Sequence, residues 1–156
     1  RVYSQNGNSL PYIENNKLIA SFMGWTPSKT NPDYLILRPE DDKPAFEHPL
    51  KMFNHGSNYY IDHPKTGCRQ NSLMYDKSWD WLMPVIEKIE NIDNGSCVIF
   101  VEIINSSCCI SHMINHNWPN DKAIISEYNL SNSKSKLEAV YNAIVDFITW
   151  YNNEDL

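Results

Sequence analysis

The sequence predicts an α+β fold, with an antiparallel sheet and about three packed helices in a single compact domain of residues 1–156. Helical periodicity occurs near both ends and in the centre of the chain, and two runs rich in β-branched residues follow each other across a two-residue gap. Strands joined by so short a turn must pair antiparallel, and helices grouped outside the strands pack against the sheet. A chain of this length buries a core without disulfides.

The first predicted helix covers residues 14–23, with Asn15 or Asn16 as its N-cap. Gly24 follows at the position where a left-handed residue commonly ends a helix. After a turn, the apolar residues 34–38 predict a short strand, which the next proline ends.

Residues 39–75 differ in character from the rest and predict a long loop, or insert, within the domain. Four prolines and three of the five histidines lie there, and no helical or strand period is sustained. Only residues 59–61 suggest a short strand. Loops of this length in compact domains are usually functional or disordered.

The centre of the chain predicts a helix followed by a hairpin. Residues 78–90 have helical periodicity, and Pro84 predicts a tight first turn or a kink because it lacks a backbone donor. Cys97–Ile104 and Ser107–Ile114 predict two strands joined by a two-residue loop. The nearly continuous apolarity of the first run favours a central strand.

The end of the chain predicts a weaker strand at residues 123–128 and then a well-marked helix. Ser135 and Glu138 have the spacing of a capping box, in which each side chain accepts a bond from the other residue's backbone. Apolar residues then recur at helical spacing through Trp150.

Charge and composition limit the function classes. The formal net charge is −6, and residues 71–156 carry twelve acidic and five basic groups. An acidic surface repels phosphate, so non-specific nucleic-acid binding is disfavoured and a protein partner with a basic groove is favoured. No apolar run is long enough to span a membrane. Four cysteines without disulfide or zinc spacing favour a reducing, cytoplasmic location.

One cluster invites a metal hypothesis, namely Cys108, Cys109, His112 and His116. Two histidines four residues apart share a helix face, but on a strand they are separated by roughly 13 Å, too far for one ion. The local sequence is rich in strand formers, so neither a metal site nor a cofactor is predicted.

A second cluster lies in the long loop, where His48, His55 and His63 accompany Asp62 and Cys68. If Cys68 met His63 or His55, a nucleophilic site would result. The alternative functional hypothesis is therefore a small hydrolase or nucleotide-processing enzyme that uses this loop.

Two tryptophans flank Asp80, which could act as an acid or base if buried, or could simply favour the positive end of a helix. Trp79 and Trp81 point about 200° apart on a helix, so only one faces the core. Trp79 is predicted to face outward.

Five residues are predicted to bind a partner. They are His55, Tyr59, Tyr60, His63 and Trp79.

Three segments together resemble small phage and prophage proteins of Bacteroidetes-type bacteria, and more loosely the phage α/β-sandwich domain family. These are residues 17–25 (KLIASFMGW), residues 75–89 (YDKSWDWLMPVIEKI), and residues 136–141 with 147–152 (KLEAVY and FITWYN). The middle segment is the most specific of the three. The insert of about residues 41–73 departs from the pattern.

The resemblance implies a phage-type accessory protein in the cytoplasm of a bacterial host cell. It would bind a host or phage macromolecule, with interference in a host defence system as one implied role. The resemblance supplies no catalytic residue. A structural or assembly protein of the virion is the remaining alternative.

Overall fold

The computed structural model describes residues 10–29, 33–37, 67–92, 97–114, 122–129 and 133–154. The chain divides into two compact units, Arg1–Leu73 and Met74–Leu156. The described residues contain three α-helices and two three-stranded antiparallel sheets, one sheet in each unit. The predicted α+β class is confirmed, and its antiparallel strands are divided between two sheets. A single domain stays a prediction.

The first helix, α1, spans Leu10–Phe22 and begins earlier than predicted. Pro11 fits its first turn, where no backbone donor is needed. Asn15 and Asn16 therefore lie inside the helix, and the prediction that one of them caps it is wrong. Asn16 is buried, and its Nδ2 donates a hydrogen bond to the Leu73 carbonyl at 3.2 Å. The Asn16 side chain thus makes a long-range bond within the unit instead of capping the helix.

The end of α1 confirms the role predicted for Gly24. This residue has a φ of 94°. Its N–H donates to the Ser21 carbonyl at 3.0 Å, and the Trp25 N–H donates to the Ala20 carbonyl at 2.9 Å. Those two bonds define a Schellman motif, which satisfies helix carbonyls and turns the chain into the first strand.

The sheet of the first unit contains β1 (Thr26–Pro27), β2 (Tyr34–Ile36) and β3 (Gly67–Arg69), with β2 in the centre. β2 confirms the strand predicted within residues 34–38. The long-loop prediction is wrong at its end, where β3 and a 3₁₀ turn at Gln70–Ser72 are regular. Pairing with β2, distant in sequence, makes these residues a strand. Residues 59–61 lie outside the described part.

The second unit begins with α2, which spans Trp79–Glu90 and confirms the predicted helix. Pro84 is the sixth residue of α2 and is exposed, so its ring lies on the solvent side. The proline cannot donate to the Asp80 carbonyl, so α2 lacks one backbone bond close to its N-terminal turn.

The second sheet is formed by β4 (Cys97–Ile104), β5 (Ser107–Ile114) and β6 (Lys122–Tyr128), as predicted within a residue. The predicted two-residue loop is confirmed, with Asn105 at a φ of 55°. The prediction that Cys97–Ile104 is the central strand is wrong, because β5 lies between β4 and β6. α2 packs against β4, and residues 98–103 are all buried or half-buried, which accounts for the apolarity of this run.

The last helix, α3, spans Lys136–Asn153. The predicted capping box is confirmed in the bond that the Ser135 side chain accepts. The Ser135 Oγ accepts from the Glu138 N–H at 3.1 Å, and the Glu138 carboxylate accepts from the Lys134 N–H at 3.3 Å. α3 packs against β5 and β6, and α2 packs against β4 and α3. The core of this unit thus lies between one face of the sheet and the two helices.

Candidate functional site

The most distinctive sequence segment, residues 75–89, forms α2 and the turn before it. The Met74 carbonyl accepts from Lys77 N–H at 3.0 Å and from Ser78 N–H at 2.9 Å. Ser78 is extended and occupies the N-cap position, where its carbonyl accepts from Trp81 and Leu82 N–H groups, both at 3.2 Å. These bonds fix the point at which α2 begins, and therefore the direction in which each of its side chains points.

The two tryptophans of this segment have different environments. Trp81 is half-buried, and its ring meets the buried Tyr75 ring edge to face, with centroids 5.1 Å apart. Trp79, the first residue of α2, keeps 37% of its surface exposed. The prediction that Trp79 is the outward-facing tryptophan is confirmed. Asp80 is exposed in the first turn, where the helix dipole favours a carboxylate, and it lacks the burial that an acid–base role required.

The inner face of α2 consists entirely of buried aliphatic side chains, and its outer face carries Met83, with 44% exposure. Trp79 and Met83 are four residues apart and therefore neighbours on the helix surface. We name this pair the α2 surface. The inner residues are Leu82, Val85, Ile86 and Ile89.

The α2 surface is a candidate for a binding contact. Large apolar side chains of ordinary domains are mostly buried, and here two adjacent ones lie on the outside of a helix whose core face is already filled. Tryptophan is enriched among residues that dominate interface energies, and methionine adapts its shape to varied partners. Sequence analysis missed Met83. Its spacing of four residues from Trp79 was not a sufficient signal, because an apolar residue on a helix usually faces the core.

Four of the five predicted binding residues, His55, Tyr59, Tyr60 and His63, lie outside the described residues and stay predictions. The fifth, Trp79, belongs to the α2 surface.

The thiol invoked in the enzyme hypothesis, Cys68, is in β3 with 2% of its surface exposed. Its Sγ donates to the neighbouring Arg69 carbonyl at 3.3 Å. His48 and Asp62, which accompany it in sequence, lie outside the described part of the chain. In this arrangement the thiol is inaccessible to a substrate.

Three of the four residues of the metal hypothesis, Cys108, Cys109 and His112, lie on β5 of the second sheet. His112 lies on β5 with its ring edge to face against Trp150 of α3, at 5.5 Å between centroids. Burial, and to a lesser extent the neighbouring Cys109, raises the pKa of Cys108 to about 12, so this thiol is protonated at neutral pH. His116 lies outside the described residues, which contain no group of three or more His, Cys, Asp or Glu able to hold a metal ion.

A shallow depression of about 260 Å³ lies at the tip of the β4–β5 hairpin. Its lining has no ionisable group that could act as an acid or as a base toward its serine hydroxyls, and the Ser107 Oγ donates to the Ile104 carbonyl at 2.8 Å. Its exposed Ile104 makes it a useful comparison for the α2 surface. The residues that line it are Ile104, Asn105, Ser106, Ser107 and Asn129.

No family model, curated protein or solved structure matches the chain. The resemblance to phage proteins therefore stays a prediction from sequence. Within the described residues, no helix is both long and apolar enough to cross a membrane.

Proposed function

We propose that this protein acts by binding a partner protein, and that the α2 surface is part of the contact. One observation carries the proposal. Trp79 and Met83 are exposed on adjacent turns of a helix whose core face is fully buried. A helix anchored in this way presents the pair on a rigid element, which lowers the conformational entropy lost on binding.

The resemblance to phage and prophage proteins supports an accessory role in a bacterial cell. On that proposal the partner is a host or phage macromolecule, and interference with a host defence system is one consequence of binding. The net charge of −6 supports a protein partner over nucleic acid. His55, Tyr59, Tyr60 and His63 of the long loop are proposed as further binding residues.

The test is capture from a bacterial lysate with the tagged protein and three variants, followed by quantitative mass spectrometry. Met83→Gln keeps the length and helix preference of the side chain but makes it polar. Trp79→Gln removes the aromatic ring. The matched control is Ile104→Thr, which removes an exposed apolar side chain of the same unit on strand β4.

We expect a stoichiometric partner that is retained by the wild type and by Ile104→Thr, and is depleted with Met83→Gln and with Trp79→Gln. Circular dichroism of each variant must match the wild type for the comparison to count. A partner captured equally by all four proteins would overturn the role of the α2 surface. If no partner protein is retained at moderate salt, the binding function itself is wrong.

A further inference from the structure

The charged residues that α2 carries near Met83 are of one sign. At about 100° per residue, Glu90, Glu87 and Asp80 lie about 20°, 40° and 60° from Met83 around the helix axis. All three carboxylates are on exposed residues of α2. Glu87 is also one turn from Met83 along the axis, so its carboxylate borders the apolar contact directly.

The nearest positive charge on α2 is on the other side of the helix. Lys88 lies about 140° from Met83, which places it beyond Pro84 and away from the α2 surface. Met83 thus has an acidic rim within α2, whereas Trp79 is also two residues from the exposed Lys77 of the preceding turn. An apolar centre with charges of one sign at its rim is complementary to an apolar segment flanked by charges of the opposite sign.

We propose that the partner of the α2 surface is a cationic amphipathic protein segment, with apolar side chains over Trp79 and Met83 and Lys or Arg opposite the three carboxylates. This inference rests on the proposed function and adds the chemistry of the partner. Other occupants fit less well. Nucleic-acid phosphates and anionic lipids are repelled by the rim, and a symmetric second copy of the chain would bring like charges together.

The rim and the apolar pair have separable effects on binding. Exposed carboxylates are well solvated, so rim charges act mainly on the association rate and on its salt dependence. Burial of Trp79 and Met83 acts mainly on dissociation and is insensitive to salt. Charge variants should therefore change the association rate and its salt dependence, whereas apolar variants should change the dissociation rate.

The experiment uses three fluorescein-labelled peptides with the same helical pattern of leucines, whose flanking positions are all Lys, all Gln or all Glu. Anisotropy titrations are run at about 50 mM and about 500 mM NaCl. The proteins are the wild type, Met83→Gln, Glu87→Lys, and the matched control Glu127→Lys. Glu127 is exposed on β6 and gives the same change in net charge away from α2.

We expect the Lys peptide to bind about tenfold tighter than the Gln peptide at low salt, and the Glu peptide to bind weakest. High salt should remove most of that preference. Glu87→Lys should weaken the Lys peptide by about threefold or more and reduce its salt dependence, while Glu127→Lys stays within about twofold of the wild type.

Equal affinity for the Lys and Gln peptides, no binding of the Lys peptide, or equal effects of Glu87→Lys and Glu127→Lys would overturn the inference. The Met83→Gln variant and the lysate capture separate this failure from failure of the proposed function. If peptide or partner binding depends on Met83 but not on peptide charge, the α2 surface stands and its cationic partner is wrong.

Discussion

Substitution of Gly67 by alanine should destabilise the first unit for a purely steric reason. Gly67 is in β3 opposite Ile36 of β2, and the buried Tyr34 of β2 packs over it. A Cβ on Gly67 would lie 2.6 Å from the Tyr34 Cζ and closer still to its hydroxyl oxygen. Gly67 does not have a left-handed φ, so alanine meets no backbone strain there.

The magnitude follows from two opposing effects. Inserting an extra methyl into a well-packed region typically costs about 1–3 kcal/mol. Replacing glycine by alanine at a compatible backbone restores about 0.4–1 kcal/mol by restricting the unfolded chain. Because the Tyr34 ring is 2% exposed and cannot swing into solvent, we expect a net loss of about 1–2 kcal/mol in the free energy of unfolding.

The assay is urea denaturation of Gly67→Ala, Tyr34→Leu and the double variant. A shorter side chain at position 34 makes room for the methyl, so Gly67→Ala should cost at least about 1 kcal/mol less in the Tyr34→Leu background. Gly24→Ala is the control for backbone strain without a steric clash. Alanine at a φ of 94° is strained, but no atom lies within 4 Å of the added Cβ. A neutral or stabilising Gly67→Ala, or strict additivity with Tyr34→Leu, would refute the steric argument.

Two predictions concern the second unit. Ser126 Oγ donates to the Ala143 carbonyl at 2.9 Å, whereas the buried Ser111 Oγ has no hydrogen-bond partner among the described residues. In urea denaturation Ser126→Ala should therefore cost about 1 kcal/mol, while Ser111→Ala should be neutral or stabilising. Burial also raises the pKa of Cys108 from 9.0 to about 12, so above pH 9 the unfolded chain loses a proton that the folded chain retains. The free energy of unfolding should fall by about 1 kcal/mol per pH unit between those values, and Cys108→Ala should remove that part of the slope.

Each of these predictions has a clear contrary result. Equal costs for the two serine substitutions would contradict the assignment of their hydrogen bonds. An unchanged alkaline slope in Cys108→Ala, measured against the wild type from pH 8 to about 11, would contradict burial of a protonated thiol at that position.

The elements that the sequence predicted well are those with local signals. The bounds of β4 and β5 follow from two β-branched runs around a two-residue loop, and the start of α3 follows from the Ser135 capping box. All of these signals involve residues within a few positions of each other. Local preferences and tertiary packing agree there, so pattern alone was sufficient.

The elements that the sequence did not predict correctly depend on residues that are distant along the chain. β3 pairs Cys68 with Leu35, far away in sequence, and Gly-Cys-Arg has no strand pattern of its own. The start of α1 was misplaced because Asn16 suits a cap by local preference, but its amide bonds to the Leu73 carbonyl. The position of β4 next to β5, and not between two strands, likewise depends on strand pairing, which the apolarity of a segment does not determine.

The residues of the candidate site likewise divide into those that local pattern indicates and those that it does not. That one of Trp79 and Trp81 faces outward could be assigned from helical angles alone, and the 37% exposure of Trp79 identifies which one. Met83 could not, because an apolar residue on a helix is usually core and only its 44% exposure identifies it as surface. His55, Tyr59, Tyr60 and His63 stay predictions, since their assignment depends on residues outside the described part of the chain.

The most direct test of the central claim is the dissociation constant of the captured partner, measured by titration calorimetry with the wild type, Met83→Gln and Ile104→Thr. We predict that Met83→Gln raises Kd by about tenfold or more without changing the free energy of unfolding, and that Ile104→Thr leaves Kd within about twofold. Equal Kd values for the three proteins would mean that the partner binds elsewhere and that the α2 surface is not the binding site.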